Sequence, residues 1–407
     1  MKIQLSDHFT YQRLLHFCLP SIVMMIFTSI YGVVDGLFVS NFVGKIPFAA
    51  INLVMPFIMI LGGFGFMIGT GGSALIAKTL GEGNHKLANR YFSMLIIMTV
   101  ILGLILTTIG IVFARRVSIL LGATDVMLDD CVIYLRTVLL FISPFMLQNV
   151  FQSFLVTAQK PHAGLIVTII AGLTNMSLDA LFIVVFRWGV AGAALATGIS
   201  QCIGGLLPLI LFLGKNDSLL HLVPTRLEWR PFFLSCTNGM SELMGNISSS
   251  IVSMLYNFQL LNYAGENGIA AYGVLMYVQF IFIAVFFGYT IGVGPVIGYH
   301  YGAGNHAELK NLLRKSLKLN IITGISMTIL ANLFAGALSR IFVGYDPELY
   351  AMTKSAFHIF ALSFLVCGIN IFASAFFTAL NNGLVSAVIS FLRTLVFQVG
   401  SVLILPA

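Results

Sequence analysis

Apolar residues in this chain run in stretches of roughly twenty, separated by short polar segments. A helix needs about that many residues to cross a hydrocarbon core at 1.5 Å per residue. Such stretches fall near 16–40, 52–77, 92–114, 132–157, 163–186 and 191–213, and again near 236–262, 272–299, 317–339, 355–379 and 384–405. The pattern predicts an all-α integral membrane protein with about eleven transmembrane helices. The first stretch follows a polar segment, Met1 to Gln12, runs longer than a secretory h-region and ends in no small-residue cleavage site, so it is expected to remain as the first helix.

The polar segments repeat. Leu80-Gly81-Glu82-Gly83-Asn84-His85 recurs as Tyr301-Gly302-Ala303-Gly304-Asn305-His306, an offset of 221 residues as measured from Gly81 to Gly302. The same offset superposes Asn41 on Asn262, Gly44 on Gly265 and Gly71 on Gly292, and later Asn149 on Asn370, Ser153 on Ser374 and Thr157 on Thr378. This implies two six-helix repeats of like topology, related by an axis along the membrane normal. The expected division is a first lobe at 1–214, a cytoplasmic linker at 215–234 and a second lobe at 235–407. The counterpart of the sixth helix, Val190 to Leu213, would map beyond residue 407, so the second bundle is expected to be incomplete.

Composition and charge sharpen this picture. Of all residues 58% are hydrophobic and 9% charged, with a formal net charge of +7. Lys2, Arg13, Lys78, Lys86, Arg90, Lys160, Lys215, Arg226, Arg230, Lys310, Arg314, Lys315 and Lys318 fall on one side of the expected membrane. Lys45, Arg115, Arg116, Arg136, Arg187, Arg340 and Lys354 fall on the other. Bases in alternate loops point to a lipid bilayer and not to nucleic acid, and they predict a cytoplasmic N-terminus in the cytoplasmic membrane. The five cysteines are scattered without metal or disulfide spacing and read as packing residues.

Two acids lie within the apolar stretches, Asp35 in the first and Asp179 in the fifth. A carboxylate at bilayer depth costs at least about 2.5 kcal/mol on insertion scales and is usually kept for ion handling or for a buried partner. Asn175 stands one turn before Asp179 on the same helix face. If helices one, four, five and six surround one cavity, Asn149 and Thr197 complete a ring of oxygen ligands. Two carboxylates in a dry cavity repel and would share a proton or Na+. The plainer alternative is that each acid caps a broken helix or bonds a neighbour. The offset places Tyr256 and Gly400 opposite the two acids, so the second half folds without them.

Glu242, Asn246, Asn257 and Gln279 are less specific: they are expected to form part of a central substrate cleft, the alternatives being that Glu242 is solvated near the cytoplasmic end and that Gln279 bridges helices. Arg393 is a base in mid-helix that can snorkel or pair with an acid. The runs Leu61-Gly62-Gly63-Phe64-Gly65 and Thr70-Gly71-Gly72-Ser73 lack the Lys-Ser/Thr of a phosphate loop and serve close helix packing instead. No metal site and no cofactor are indicated. A membrane enzyme would need a nucleophile with a base or a His/acid metal set, whereas His300 and His306 are expected in a loop without partners.

Together, Asp35 followed by Val39-Ser40, Gly81-Glu82-Gly83-Asn84, Ala158-Gln159-Lys160-Pro161, Asn175-x-x-Leu178-Asp179 and Gly189-Val190-Ala191-Gly192-Ala193-Ala194-Leu195-Ala196-Thr197 resemble the multidrug and toxic compound extrusion (MATE) transporters, bacterial multidrug-efflux branch. The resemblance implies antiport of organic cations against Na+ or H+, through two lobes rocking about a central cleft. It also implies a first-lobe cation site at Asp35, Asn175, Asp179, Asn149 and Thr197, in a protein expected to be monomeric. Two departures are Ala180, where many members carry Pro, and Asn246, where many carry an acid. A truncated inactive relic and a lipid-linked sugar flippase are the alternatives to a working antiporter.

Overall fold

The computed structural model describes residues 3–214, 217–344 and 346–404, apart from the side chains of Lys45, Asn257, Leu261, Glu266 and Ile269. Lys2, Lys215 and the cleft candidate Asn257, as a side chain, therefore lie outside the described residues. Every regular element among those described is helical, which meets the demand lipid makes that backbone polar groups be satisfied within each segment. The first half comprises α1 (Tyr11–Phe42), α2 (Lys45–Gly81), α3 (His85–Leu120), α4 (Asp125–Leu139), α5 (Ile142–Thr157), α6 (Pro161–Asp179) and α7 (Gly189–Leu213). The second comprises α8 (Trp229–Asn238), α9 (Met240–Gly302), α10 (His306–Val343), α11 (Pro347–Phe360), α12 (Phe364–Ala379), α13 (Gly383–Phe391) and α14 (Gln398–Ile404).

Among the described residues nine helices are long and apolar enough to cross a membrane, or ten when α4 and α5 count as one span. That span was expected to be one helix at 132–157; it is bent by 57° where α4 gives way to α5. Conversely, α9 contains two expected spans. Gly265, at φ 61° and ψ −154°, breaks it where only glycine is at ease. The linker ends at 228 rather than 234, because Pro231 falls in the first turn of α8, where its missing N–H leaves no bond unmade.

The repeated Gly-x-Gly-Asn motif is a helix stop followed by a helix start. After α2, Gly83 at φ 80° lets its N–H reach Leu80 O and the Asn84 N–H reach Thr79 O, and Asn84 Oδ1 then caps α3 by accepting from Leu87 N. After α9, Gly304 at φ 67°, the Asn305 N–H to His300 O and the Asn305 cap on Glu308 N repeat each step at the offset of 221. The offset does not hold to the end. Gln159 (φ 59°) with Lys160 N bonded to Leu155 O corresponds to Asn381 (φ 57°) with Asn382 N bonded to Phe377 O, an offset of 222, as from Gln159 to Asn381. The late sequence matches, Asn149 with Asn370 and Ser153 with Ser374, are thus one position out of structural register. The added residue falls between the third and fourth helices, where α10 has 38 residues and α3 has 36.

The halves meet backbone on backbone. A side chain at Gly81 would strike Tyr299 O, and one at Gly302 would strike Lys78 O, the same contact exchanged across the pseudo-two-fold axis. Further along, Gly239 abuts Met67 O of α2, while Gly288 faces Ser21 and Ile22 and Gly292 faces Cys18, all three on α1. These contacts start at Gly81 and Gly302, at the end that carries residues 3–10, both Gly-x-Gly-Asn loops and the linker, hereafter the basic end, and continue from there toward the middle of α1, α2 and α9. Trp229 lies near this end and Trp188 near the other, both exposed among phenylalanines, the placement that suits the two membrane interfaces.

Gly302→Val should lower stability by about 1–3 kcal/mol or more in a detergent melt, because backbone cannot yield to an added side chain. Gly294→Ala, with nothing within 4 Å of an added Cβ, should be neutral or gain up to about 1 kcal/mol from helix propensity. Equal losses in both variants would contradict the seam.

Candidate functional site

Asp35 lies in the last third of α1 and Asp179 is the last residue of α6, which continues as a π turn, Ala180–Val185. The apolar run 163–186 was expected to be one regular helix; instead the turn widens directly after the acid, a departure frequent at functional sites. α1 packs on α6, α6 on α7, and α7 on α4 and α5. This is the arrangement of helices one, four, five and six that the sequence reading required.

Asp179 is 0% exposed and Asn175 1%. The two carboxyls are near enough for each to act on the other. Among the described residues Asp35 Oδ1, Asn175 Oδ1, both oxygens of Asp179 and Thr197 Oγ1 are buried with no hydrogen-bond partner. An unpartnered buried polar atom costs about 1–3 kcal/mol, more when charged, so this concentration on three packed helices calls for a ligand. Carboxylate, amide and hydroxyl oxygens form a hard donor set, suited to a proton or an alkali cation and unsuited to a soft metal.

Tyr134 of α4 was not anticipated. It is fully buried, its hydroxyl approaches that of Thr197, and it stands within the field of both acids. Tyr31, one turn before Asp35, approaches Gln148 and also senses Asp35. Tyrosines in apolar helices carry no sequence signal that separates them from core aromatics, and only helix packing identifies these two. Asn149 is placed differently from its four companions. Its amide donates to Gly62 O of α2 at 3.1 Å, which ties α5 to α2.

In the second half Glu242 is half-buried and senses the charge of Arg393, which stands in a second π turn, Leu392–Phe397, with Nη1 buried and without a partner among the described residues. Asn246 donates to Glu242 O at 3.0 Å and faces Gly63 of α2 across the seam. Gln279 Oε1 is buried and unpartnered among the described residues. Opposite Asp35, Tyr256 stacks on Tyr272 at 5.1 Å. Opposite Asp179, the corrected register places Ser401 instead of Gly400. His300, expected in a loop, is instead in the last turn of α9 and 2% exposed, and His306 opens α10.

A family profile described as MatE matches residues 20–181 and again 243–403. The chain is 26% identical over 379 residues to the multidrug export protein MepA of Staphylococcus haemolyticus, covering 92% of this chain and 82% of that protein. It is 25% identical over 391 residues to MepA of Staphylococcus saprophyticus, covering 95% and 85%. Among solved structures, MATE in complex with MaL6 superposes with a TM-score of 0.91 at 22% identity, over 97% of this chain and 88% of that one. The outward-facing conformation of a multidrug resistance MATE family transporter gives 0.91 with the same identity and coverage.

Removing one member of the acid pair relieves their mutual repulsion. Asp179→Asn should therefore raise the melting temperature in Na+-free buffer at alkaline pH, by the equivalent of about 1 kcal/mol. A lower melting temperature would show that the two carboxylates do not oppose each other in the folded state.

Proposed function

The chain belongs to the MATE family of multidrug efflux transporters, and from that premise we propose that it is a secondary active antiporter, exporting organic cations in exchange for H+ or Na+. It is a multi-pass membrane transporter and not an enzyme. The observation that carries the antiport reading is the set of buried oxygens around Asp35 and Asp179 that have no partner among the described residues. In this reading a proton or Na+ held between the carboxylates removes their repulsion, and its release restores it. The ion thereby biases the relative stability of two arrangements of the halves.

The seam supports the same reading. Helices that meet backbone on backbone at Gly81 and Gly302 can roll on each other there, and alternating access in parallel-repeat transporters is rocking of this kind. Asn246, with Glu242 one turn earlier, faces the seam from the second half and is the wall against which an exported cation is held. The basic end is the cytoplasmic one, following the excess of Lys and Arg there. The protein works in the cytoplasmic membrane as a monomer, and the export of drugs by the MepA relatives supports the substrate class.

In proteoliposomes with an imposed proton or Na+ gradient, the chain should drive efflux of a fluorescent organic cation. Asp35→Asn and Asp179→Asn should each reduce it to the no-gradient background, whereas Tyr134→Phe, which removes one hydroxyl near the site, should slow it by about tenfold, the worth of one hydrogen bond. Gradient-driven export retained at the unsubstituted rate in both acid variants would dismiss the antiport mechanism.

A further inference from the structure

The segments that lead into the first helix of each half are fastened to the opposite half. Residues 3–10 precede α1 yet lie on α10. Glu308, 6% exposed, accepts the Phe9 N–H at 3.0 Å through Oε1, while its Oε2 meets His8 Nδ1 at 2.6 Å. Asn311 and Lys315, one and two turns on, donate to Phe9 O at 3.1 and 2.6 Å, and Lys315 also sits over the Tyr11 ring. Leu5 and Phe9 are fully buried beneath.

The linker repeats the arrangement with other residues. It precedes α8 yet lies on α3: His221 N–H donates to Asn89 Oδ1 at 3.0 Å and Val223 N–H to Ser93 Oγ at 2.8 Å. Glu228 N–H reaches Met94 Sδ, and the Glu228 carboxylate is 3.7 Å from Arg90. Arg90 and Met94 are the positions that the 221 offset superposes on Asn311 and Lys315. Two unrelated sequences thus bind the same sites on equivalent helices, which marks the contact as a property of the architecture.

We propose that these two straps are reciprocal latches that hold the cytoplasmic ends of the halves together, and that Glu308 is the main catch. The assignment of this end to the cytoplasm rests on the function proposed above. For the cleft to open inward, α1 must leave α9 at Gly288 and Gly292, and the N-terminal strap must leave Glu308. The two latches are unequal. Glu308 is buried and makes charge-assisted bonds, whereas Arg90 and Glu228 are each nearly half exposed and so worth little.

Cys18 provides a native probe, since it is buried on α1 against Gly292 at the seam, while Cys131 is buried within the first half. In the full chain in nanodiscs, labelling by a maleimide is followed at each cysteine by mass spectrometry, and the readout is the ratio of the Cys18 rate to the Cys131 rate. Glu308→Ala should raise this ratio by at least about tenfold, as loss of one bond to a charged group would, and Arg90→Ala by under about threefold. A ratio that stays at the unsubstituted value in Glu308→Ala, including a case in which both rates rise together, would overturn the latch. The measurement requires no transport, so failure of the latch and failure of the antiport reading are separable.

Discussion

The close approach of backbone to backbone along α2 and α9 is the contact on which the rest of the molecule depends. Lipid is as apolar as leucine, so no hydrophobic force draws two helical bundles together within a bilayer, and association rests on van der Waals fit and a few hydrogen bonds. Gly81 and Gly302 supply that fit by omitting the atoms that would hold the helices apart. A seam of this kind has a second property. It also buries side chains from both halves, Leu14 and Phe17 of α1 with Val293 and Ile297 of α9 among them, so a change of angle has to repack that cluster.

On this symmetric scaffold the chemistry is asymmetric. Among the described residues the first half keeps two acids within its apolar spans and no buried base near them, whereas the second replaces Asp35 with a stacked tyrosine and Asp179 with a serine. It carries instead an acid and a base, Glu242 and Arg393, each within the field of the other. A charge-balanced interior has little need of an added cation, and an interior with two carboxylates has a strong one. The proposed ion site is therefore specific to one half, although the fold of that half exists twice.

Much of this was legible in the sequence because lipid simplifies the code. Length and hydropathy located the spans, and Gly-Glu-Gly-Asn with its counterpart revealed the duplication, since a left-handed glycine followed by an asparagine cap is one compact way to reverse a helix and here occurs twice at one offset. The acids were legible through their cost. The bend between α4 and α5, the π turn after Asp179 and the one-residue slip in register were not, because each arises from packing and leaves hydropathy unchanged. Identities at the first offset, Ser153 with Ser374 among them, even disguised the slip. Tyr134 was hidden for the opposite reason, as an aromatic in a chain where aromatics are abundant.

An ion can move the halves only if it binds more tightly in one arrangement than in the other, and about 1.4 kcal/mol of difference is needed for each factor of ten. Asn175, Asp179 and Thr197 lie on helices that pack within the first half, so their mutual geometry is stiff. Asp35 differs. Its helix, α1, packs on α6 near the acid but on α9 of the other half along Ser21, Ile22 and Cys18, and its leading strap is bound to α10. The distance between Asp35 and its companions is therefore the coordinate that a change of angle between the halves must alter. One helix joins the acid pair, the seam and the strap, so in the proposed mechanism the binding energy of a small cation would reach the far end of the molecule along it.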